Sequence, residues 1–191
     1  MKDYINNYIC ESIKTKEEIL ESDLLLSSIE EASFAIIDAY KSQKKVLIAG
    51  NGGSAADAQH IAAELVSKFL LERNALNAIA LTTNTSILTA IGNDYNHDYI
   101  FARQIQAYGN KNDVYLAIST SGNSKNIILS IQEAKKQGLK VIGFTGAKNC
   151  AMDEICDVLI KVPSDKTSII QEAHIMIGHI ICAIVEKEIF G

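Results

Sequence analysis

The chain has 191 residues and a mass of 20.8 kDa, enough for one sizeable core and too little for two ordinary domains. Apolar residues make up 48% and charged residues 21%, which excludes disordered and low-complexity classes. A net charge of −5 and a pI near 5.4 argue against a broad basic surface for nucleic acid.

The N-terminus, Met1-Lys2-Asp3-Tyr4-Ile5-Asn6-Asn7, lacks the charged-then-apolar build of a signal peptide. Apolar residues Tyr4, Ile5, Tyr8, Ile9 and Ile13 recur at three- and four-residue steps and predict a helix. Ser27-Ser28-Ile29-Glu30 has capping-box spacing, which predicts a second helix from about Ile29 to Lys41. From Lys44 the period changes. Lys45–Gly50 is a short apolar run ending in glycine, as expected of a strand buried on both faces. Similar runs lie at Asn77–Leu81, Val114–Ile118, Leu139–Phe144 and Asp157–Val162. Helical stretches separate them: Ser54–Phe69, Asn84–Gly92 with Ile100–Tyr108, Ser124–Gln137, and a short piece at Ala151–Cys156. A long helix, Thr167–Ile189, closes the chain.

Strands alternating with helices imply right-handed crossovers and an α/β fold, a three-layer αβα sandwich of about five parallel strands. One domain is expected, with a helical segment over 1–43 and the α/β core over 44–191. No apolar run reads as a span of roughly 20 residues, so no membrane contact is expected. Cys10, Cys150, Cys156 and Cys182 form no CxxC pair, as suits reduced thiols in a cytoplasmic protein.

In such sheets ligands bind beyond the carboxyl ends of the strands. The first loop there is Gly50-Asn51-Gly52-Gly53-Ser54-Ala55-Ala56-Asp57. Its glycines allow close backbone approach, and the helix that follows offers free N–H groups to an anion. The loose dinucleotide pattern in it has no acidic partner after the second strand, where Thr82-Thr83-Asn84 stands. The third loop, Ser119-Thr120-Ser121-Gly122-Asn123-Ser124, puts four hydroxyls at a helix N-terminus. That exceeds what a cap requires and suits a phosphate that anchors a substrate without reacting. His60 and Glu64 are four apart and share a helix face, where they can meet one metal ion or simply hydrogen-bond to each other. The last helix carries Gln171, His174 and His179; His174 reads as a core residue, and His97 as a solvated one. Asn93-Asp94 reads either as a plain turn or as a holder of sugar hydroxyls.

Taken together, these segments resemble the sugar isomerase (SIS) domain family and, within it, the bacterial phosphoheptose isomerases. The stretches that carry the resemblance are Gly50–His60 with Glu64, Ala90–Asp94, Ile118–Ser124, Val162–Ser164, and Ile170–His174 with His179, in the family's order and spacing from Lys44 to Glu188. The resemblance implies a cytoplasmic homotetramer with one zinc ion per subunit and active sites at subunit interfaces. Its substrate would be a phosphorylated seven-carbon sugar, sedoheptulose 7-phosphate, converted to D-glycero-D-manno-heptose 7-phosphate for lipopolysaccharide, capsule or other surface glycans. Carried over by motif, His60, Glu64, Gln171 and His179 are the expected zinc ligands, and Glu64 and His179 the acid/base pair. Asn51, Gly52, Gly53, Glu64, Asn93, Asp94, Ser119, Thr120, Ser121, Ser124 and Gln171 form the expected substrate shell. The family also contains non-catalytic tetramers that bind a partner such as the replication initiator DnaA; the joint presence of the four zinc-ligand positions favours the enzyme.

Three positions depart from the family pattern. Ser67-Lys68-Phe69 stands where Gly-Arg-aromatic is common, Asn84 where aspartate is frequent, and Asn149-Cys150 in place of Gly-Gly. Gln171 and His179 lie eight residues apart, about 12 Å along a helix. One metal ion can hardly hold both from the same copy. Different chains are therefore expected to complete each site, with Glu64 and His179 variants restoring one another in mixed assemblies.

Overall fold

The computed structural model describes all residues from Met1 to Gly191. The five apolar runs become strands β1 (Val46–Gly50), β2 (Ala78–Ala80), β3 (Val114–Ile118), β4 (Lys140–Thr145) and β5 (Val158–Lys161). All neighbours pair in parallel, in the order β2-β1-β3-β4-β5. The chain moves outward from β1 to β2, then returns to place β3 on the other side of β1. That reversal opens a crevice beyond Gly50 and Ile118, which stand opposite each other in the register.

Seven helices cover the sheet: α1 (Lys2–Leu20), α2 (Asp23–Lys41), α3 (Gly53–Val66), α4 (Thr85–Asp94), α5 (Ala102–Tyr108), α6 (Lys125–Lys136) and α7 (Thr167–Phe190). Short 3₁₀ turns occupy His97–Tyr99 and Ala151–Glu154. Alternate residues of each strand feed two cores. Val114, Leu116 and Ile118 pack with α1, α2, α3 and α7, whereas Tyr115 and Ala117 pack with α5 and α6. Both faces are thus dry, and side chains such as Ile48 and Phe144 are fully buried. Removing one of them to alanine costs roughly 2–5 kcal/mol. The Tyr115 hydroxyl meets Ser130 Oγ at 2.6 Å, so its buried polar end has a partner.

Helix α2 begins earlier than the Ile29 start expected from the Ser27–Glu30 pattern. Ser22 is the cap, its hydroxyl accepting from Leu25 N at 3.3 Å, and Asp23 in the first turn complements the helix dipole. The Ser-x-x-Glu spacing falls inside the helix, where the Ser28 and Ser33 hydroxyls donate back to the carbonyls of Leu24 and Ile29. Helix α7 is long and apolar enough, by composition, to cross a membrane, and half of its most apolar window is buried. Its apolar breadth has a local reason: α2, α3 and the sheet enclose it together. By contrast, Ile5, Ile9 and Ile13 of α1 point away from the rest of the chain, each about half exposed.

Candidate active site

The first and third loops meet at the crevice between β1 and β3. Gly52 has a φ of +55°, a conformation that a side chain would strain. A Cβ on Gly53 would collide with the Gln171 amide, so α7 lies directly against this turn. Asn51 and Asn126 exchange two amide hydrogen bonds of 2.9 Å and tie the glycine loop to α6. In the third loop the Ser119 hydroxyl donates to Ser124 Oγ at 3.0 Å. Ser124 occupies the N-cap position of α6, yet its side chain makes no capping bond. Its oxygen accepts from Ser119, and its own proton is left to donate to a ligand.

These loops enclose a cleft of about 290 Å³ reached by Asn51, Gly52, Gly53, Ser119, Thr120, Ser124 and Gln171, all expected from the sequence. Ser54, Ile118 and Thr167, which were not expected as site residues, complete the lining. The cleft has no lysine or arginine in its lining. Its attraction for an anion comes from three helix N-termini, those of α3, α6 and α7. Ser121 differs from its neighbours: its hydroxyl accepts from Asn123 N at 3.2 Å and lines an adjacent cleft with Thr120. A larger cleft of about 690 Å³ lies at the other end of the sheet, between α2 and the starts of β3 and β4. It is bordered by the Lys135–Asp157 and Lys140–Glu31 pairs and sits at the amino ends of the strands, away from the crevice.

A second cluster joins α3 to α7. His60 Nε2 lies 2.8 Å from His179 Nε2 and 3.3 Å from Glu64 Oε1. One nitrogen or oxygen from each residue falls within 4.8 Å of the other two. Two imidazole nitrogens facing each other share at most one proton, so a common cation suits them better. Ligands bound tetrahedrally to zinc at about 2.1 Å stand about 3.4 Å apart; the His60–Glu64 spacing of 3.3 Å matches this, and the His60–His179 spacing of 2.8 Å is shorter. This N, N, O donor set fits zinc, and equally other first-row divalent ions. Phe69 stacks on the His179 ring, with centroids 5.5 Å apart and planes 24° apart. Asp57, one turn before His60 on α3, has one carboxylate oxygen buried without a partner, and burial raises its pKa while His60 opposes the shift.

Gln171 does not join this cluster within the chain; its amide lies at the phosphate-type cleft. The grouping of His60, Glu64 and His179 in one subunit also corrects the expected complementation between Glu64 and His179 variants, since the two residues lie in one cluster of the same chain. Asn93 and Asp94 belong to the last turn of α4, not to a loop. They are exposed, and Asn93 Nδ2 donates to Asp94 Oδ1 at 2.9 Å. His97 is exposed, as expected. Lys68 is exposed too and pairs with Glu72 at 2.5 Å instead of reaching the cleft. Asn84 caps α4 by accepting from Ile87 N at 3.0 Å, the role an aspartate would fill. His174 is the expected core residue. It is fully buried, Nε2–H donates to the Thr145 carbonyl at 3.2 Å, and burial pushes its pKa down to about 4.

A parallel sheet with a hydroxyl-rich loop beside its switch point defines a phosphosugar-type α/β domain, and the family model described as SIS domain matches residues 7–146. Phosphoheptose isomerase 2 of Campylobacter jejuni is 56% identical over all 191 residues, spanning 100% of this chain and 95% of that one. A phosphoheptose isomerase of Aneurinibacillus thermoaerophilus is 54% identical over 190 residues, 100% of this chain and 96% of the relative. The solved structure of a phosphoheptose isomerase from Francisella tularensis superposes with a TM-score of 0.93 at 39% identity, covering 97% of each chain. The chain belongs to the SIS domain family, among its phosphoheptose isomerases.

Proposed function

We propose that this chain isomerises sedoheptulose 7-phosphate to D-glycero-D-manno-heptose 7-phosphate through an enediolate, in the cytoplasm, as a supply of heptose for surface glycans. The observation that carries the reading is the convergence of His60, Glu64 and His179 in a chain that also builds a neutral anion cleft at the switch point. The cleft binds the phosphate through the Ser119, Thr120 and Ser124 hydroxyls and the helix N-termini, and Asn51, Gly52, Gly53 and Gln171 complete the grip. Asn93 and Asp94 serve the sugar hydroxyls.

Moving the carbonyl between C1 and C2 requires a proton to leave one carbon and arrive at the other. Glu64 is the base. Its Oε1 faces His60 at 3.3 Å, which leaves Oε2 for the proton. His179 moves protons between the substrate oxygens, as an imidazole suits near neutral pH. His60, Glu64 and His179 would hold zinc, one ion per subunit, and when bound it would supply positive charge where negative charge develops on the substrate. Gln171 of a neighbouring copy completes the set in a homotetramer. The eight-residue spacing supports this, as do the uncovered Ile5, Ile9 and Ile13 on α1.

The test is incubation with sedoheptulose 7-phosphate, read by NMR for the aldose product. Absence of turnover with and without added zinc would overturn the assignment in favour of a partner-binding role. Subunit sharing is tested by co-expressing Gln171→Ala with His179→Ala chains, each inactive alone. Hybrids should regain activity, and inactive hybrids of confirmed mixed composition would refute sharing.

A further inference from the structure

Between α3 and β2 the chain runs from Ser67 to Asn77 without regular secondary structure. Two charged side chains organise this segment. Glu186 of α7, 1% exposed, accepts from the backbone N–H groups of Phe69 and Leu70 at 2.8 Å each, from that of Leu71, and from Arg73 Nε at 3.2 Å. Arg73 spends its other donors on the carbonyls of Glu64, Leu65, Ser67 and Asn74, at 2.8, 2.7, 3.2 and 3.0 Å. A buried pair of this kind adds little net stability over an apolar replacement, so its contribution here is position.

What it positions is Phe69, whose amide is held by Glu186 and whose ring lies along that of His179. An imidazole on a helix surface turns broadly about χ2. A nearly parallel aromatic ring on one side restricts that turning and leaves Nε2 aimed at His60. Glu186 and His179 stand two turns apart on one face of α7. Arg73 also holds the backbone of Glu64. The pair therefore touches both helices that supply the cluster.

We propose that Arg73 and Glu186 are positioning residues, which act through Phe69 to fix the His179 ring toward His60 and Glu64. The functional consequence rests on His179 acting in isomerisation; the ring orientation does not. Outer partners that orient a metal-binding side chain typically contribute roughly 10- to 100-fold in affinity or activity.

The experiment uses the full-length protein in three variants. In Glu186→Gln the Phe69 ring is retained, so its ring-current shift on the His179 Cε1–H resonance, read without metal, reports whether stacking survives. The shift should collapse, and zinc affinity by chelator competition should fall roughly 10- to 100-fold. Phe69→Leu, which leaves the buried pair intact, should weaken zinc equally with little change in Tm, and Phe69→Tyr should restore it. A folded Glu186→Gln protein with the wild-type shift and wild-type zinc affinity would overturn the proposal. So would unchanged zinc affinity in Phe69→Leu, which decides the matter if Glu186→Gln does not fold. Turnover by His179→Ala is a separate measurement: normal turnover there would sink the catalytic reading and leave the ring-current result standing.

Discussion

The anion cleft and the histidine cluster are built on different principles, though α3 and α7 contribute to both. The cleft takes its donors from strand ends and helix starts, and its side chains already have protein partners: Asn51 with Asn126, and Ser119 with Ser124. Its lining residues come from loops β1–α3 and β3–α6 and from α7 of one chain. The cluster depends on side chains alone, with the His60 side chain 49% exposed and two imidazole nitrogens face to face. On the proposed reading, phosphate binding would be shared between helix N-termini and several hydroxyls, whereas the chemistry would hang on three side chains and the ion that joins them. The two functions should be separable by mutation.

The largest separation is expected from Glu64→Gln. Losing a general base costs roughly 10²- to 10⁴-fold in turnover, while equilibrium binding of sedoheptulose 7-phosphate should stay within a few-fold of wild type. Turnover within about tenfold of wild type would remove Glu64 from the chemistry. Ser124→Ala should do the reverse. A hydrogen bond to a charged group contributes roughly 1.5–3 kcal/mol, so KM should rise about 10- to 100-fold with kcat little changed. A strong fall in kcat at constant KM would contradict a non-reacting phosphate at that hydroxyl.

His174 provides a control on the same helix as His179. Its folded pKa of about 4 lies below the ordinary 6.5, so the unfolded chain binds the proton more readily. Stability from this residue is therefore complete above pH 6.5 and declines as pH falls from there toward 4, by on the order of 3 kcal/mol in all. His174→Leu should flatten that part of a Tm-against-pH profile relative to wild type; an unchanged slope would show that the buried imidazole titrates normally. The smallest effect is expected at Ser121→Ala. Its hydroxyl turns the loop through Asn123 N and lines the neighbouring cleft, so KM should change less than in Ser124→Ala. Equal changes would place Ser121 in the phosphate shell after all.

Much of this was legible in the sequence where a local rule governs. Strand β3 matches its apolar run residue for residue because a strand buried on both faces leaves no polar position to blur its ends. The hydroxyl loop was legible as a contiguous motif. The start of α2 was not, because a capping-box spacing also occurs inside helices, and Ser22 supplied the actual cap. Asn93 and Asp94 resembled a turn by composition but finish α4. Thr167 carried a usable signal, as the first residue of a helix whose N-terminus faces the cleft. Arg73 and Glu186 carried none. They are distant in sequence, and the segment they hold has no period, so only the folded chain brings them together.

Helix α7 also limits how this protein can change. Gln171 and His179 are fixed to one rigid rod, one against the glycine loop and the other against His60. Inserting or deleting a single residue between them would swing one relative to the other by about 100° around the axis and slide it by about 1.5 Å. Length changes can accumulate in exposed connections such as the stretch around Lys148 and Asn149, where no register is at stake. Between Gln171 and His179 the number of residues is therefore fixed by the geometry of the helix.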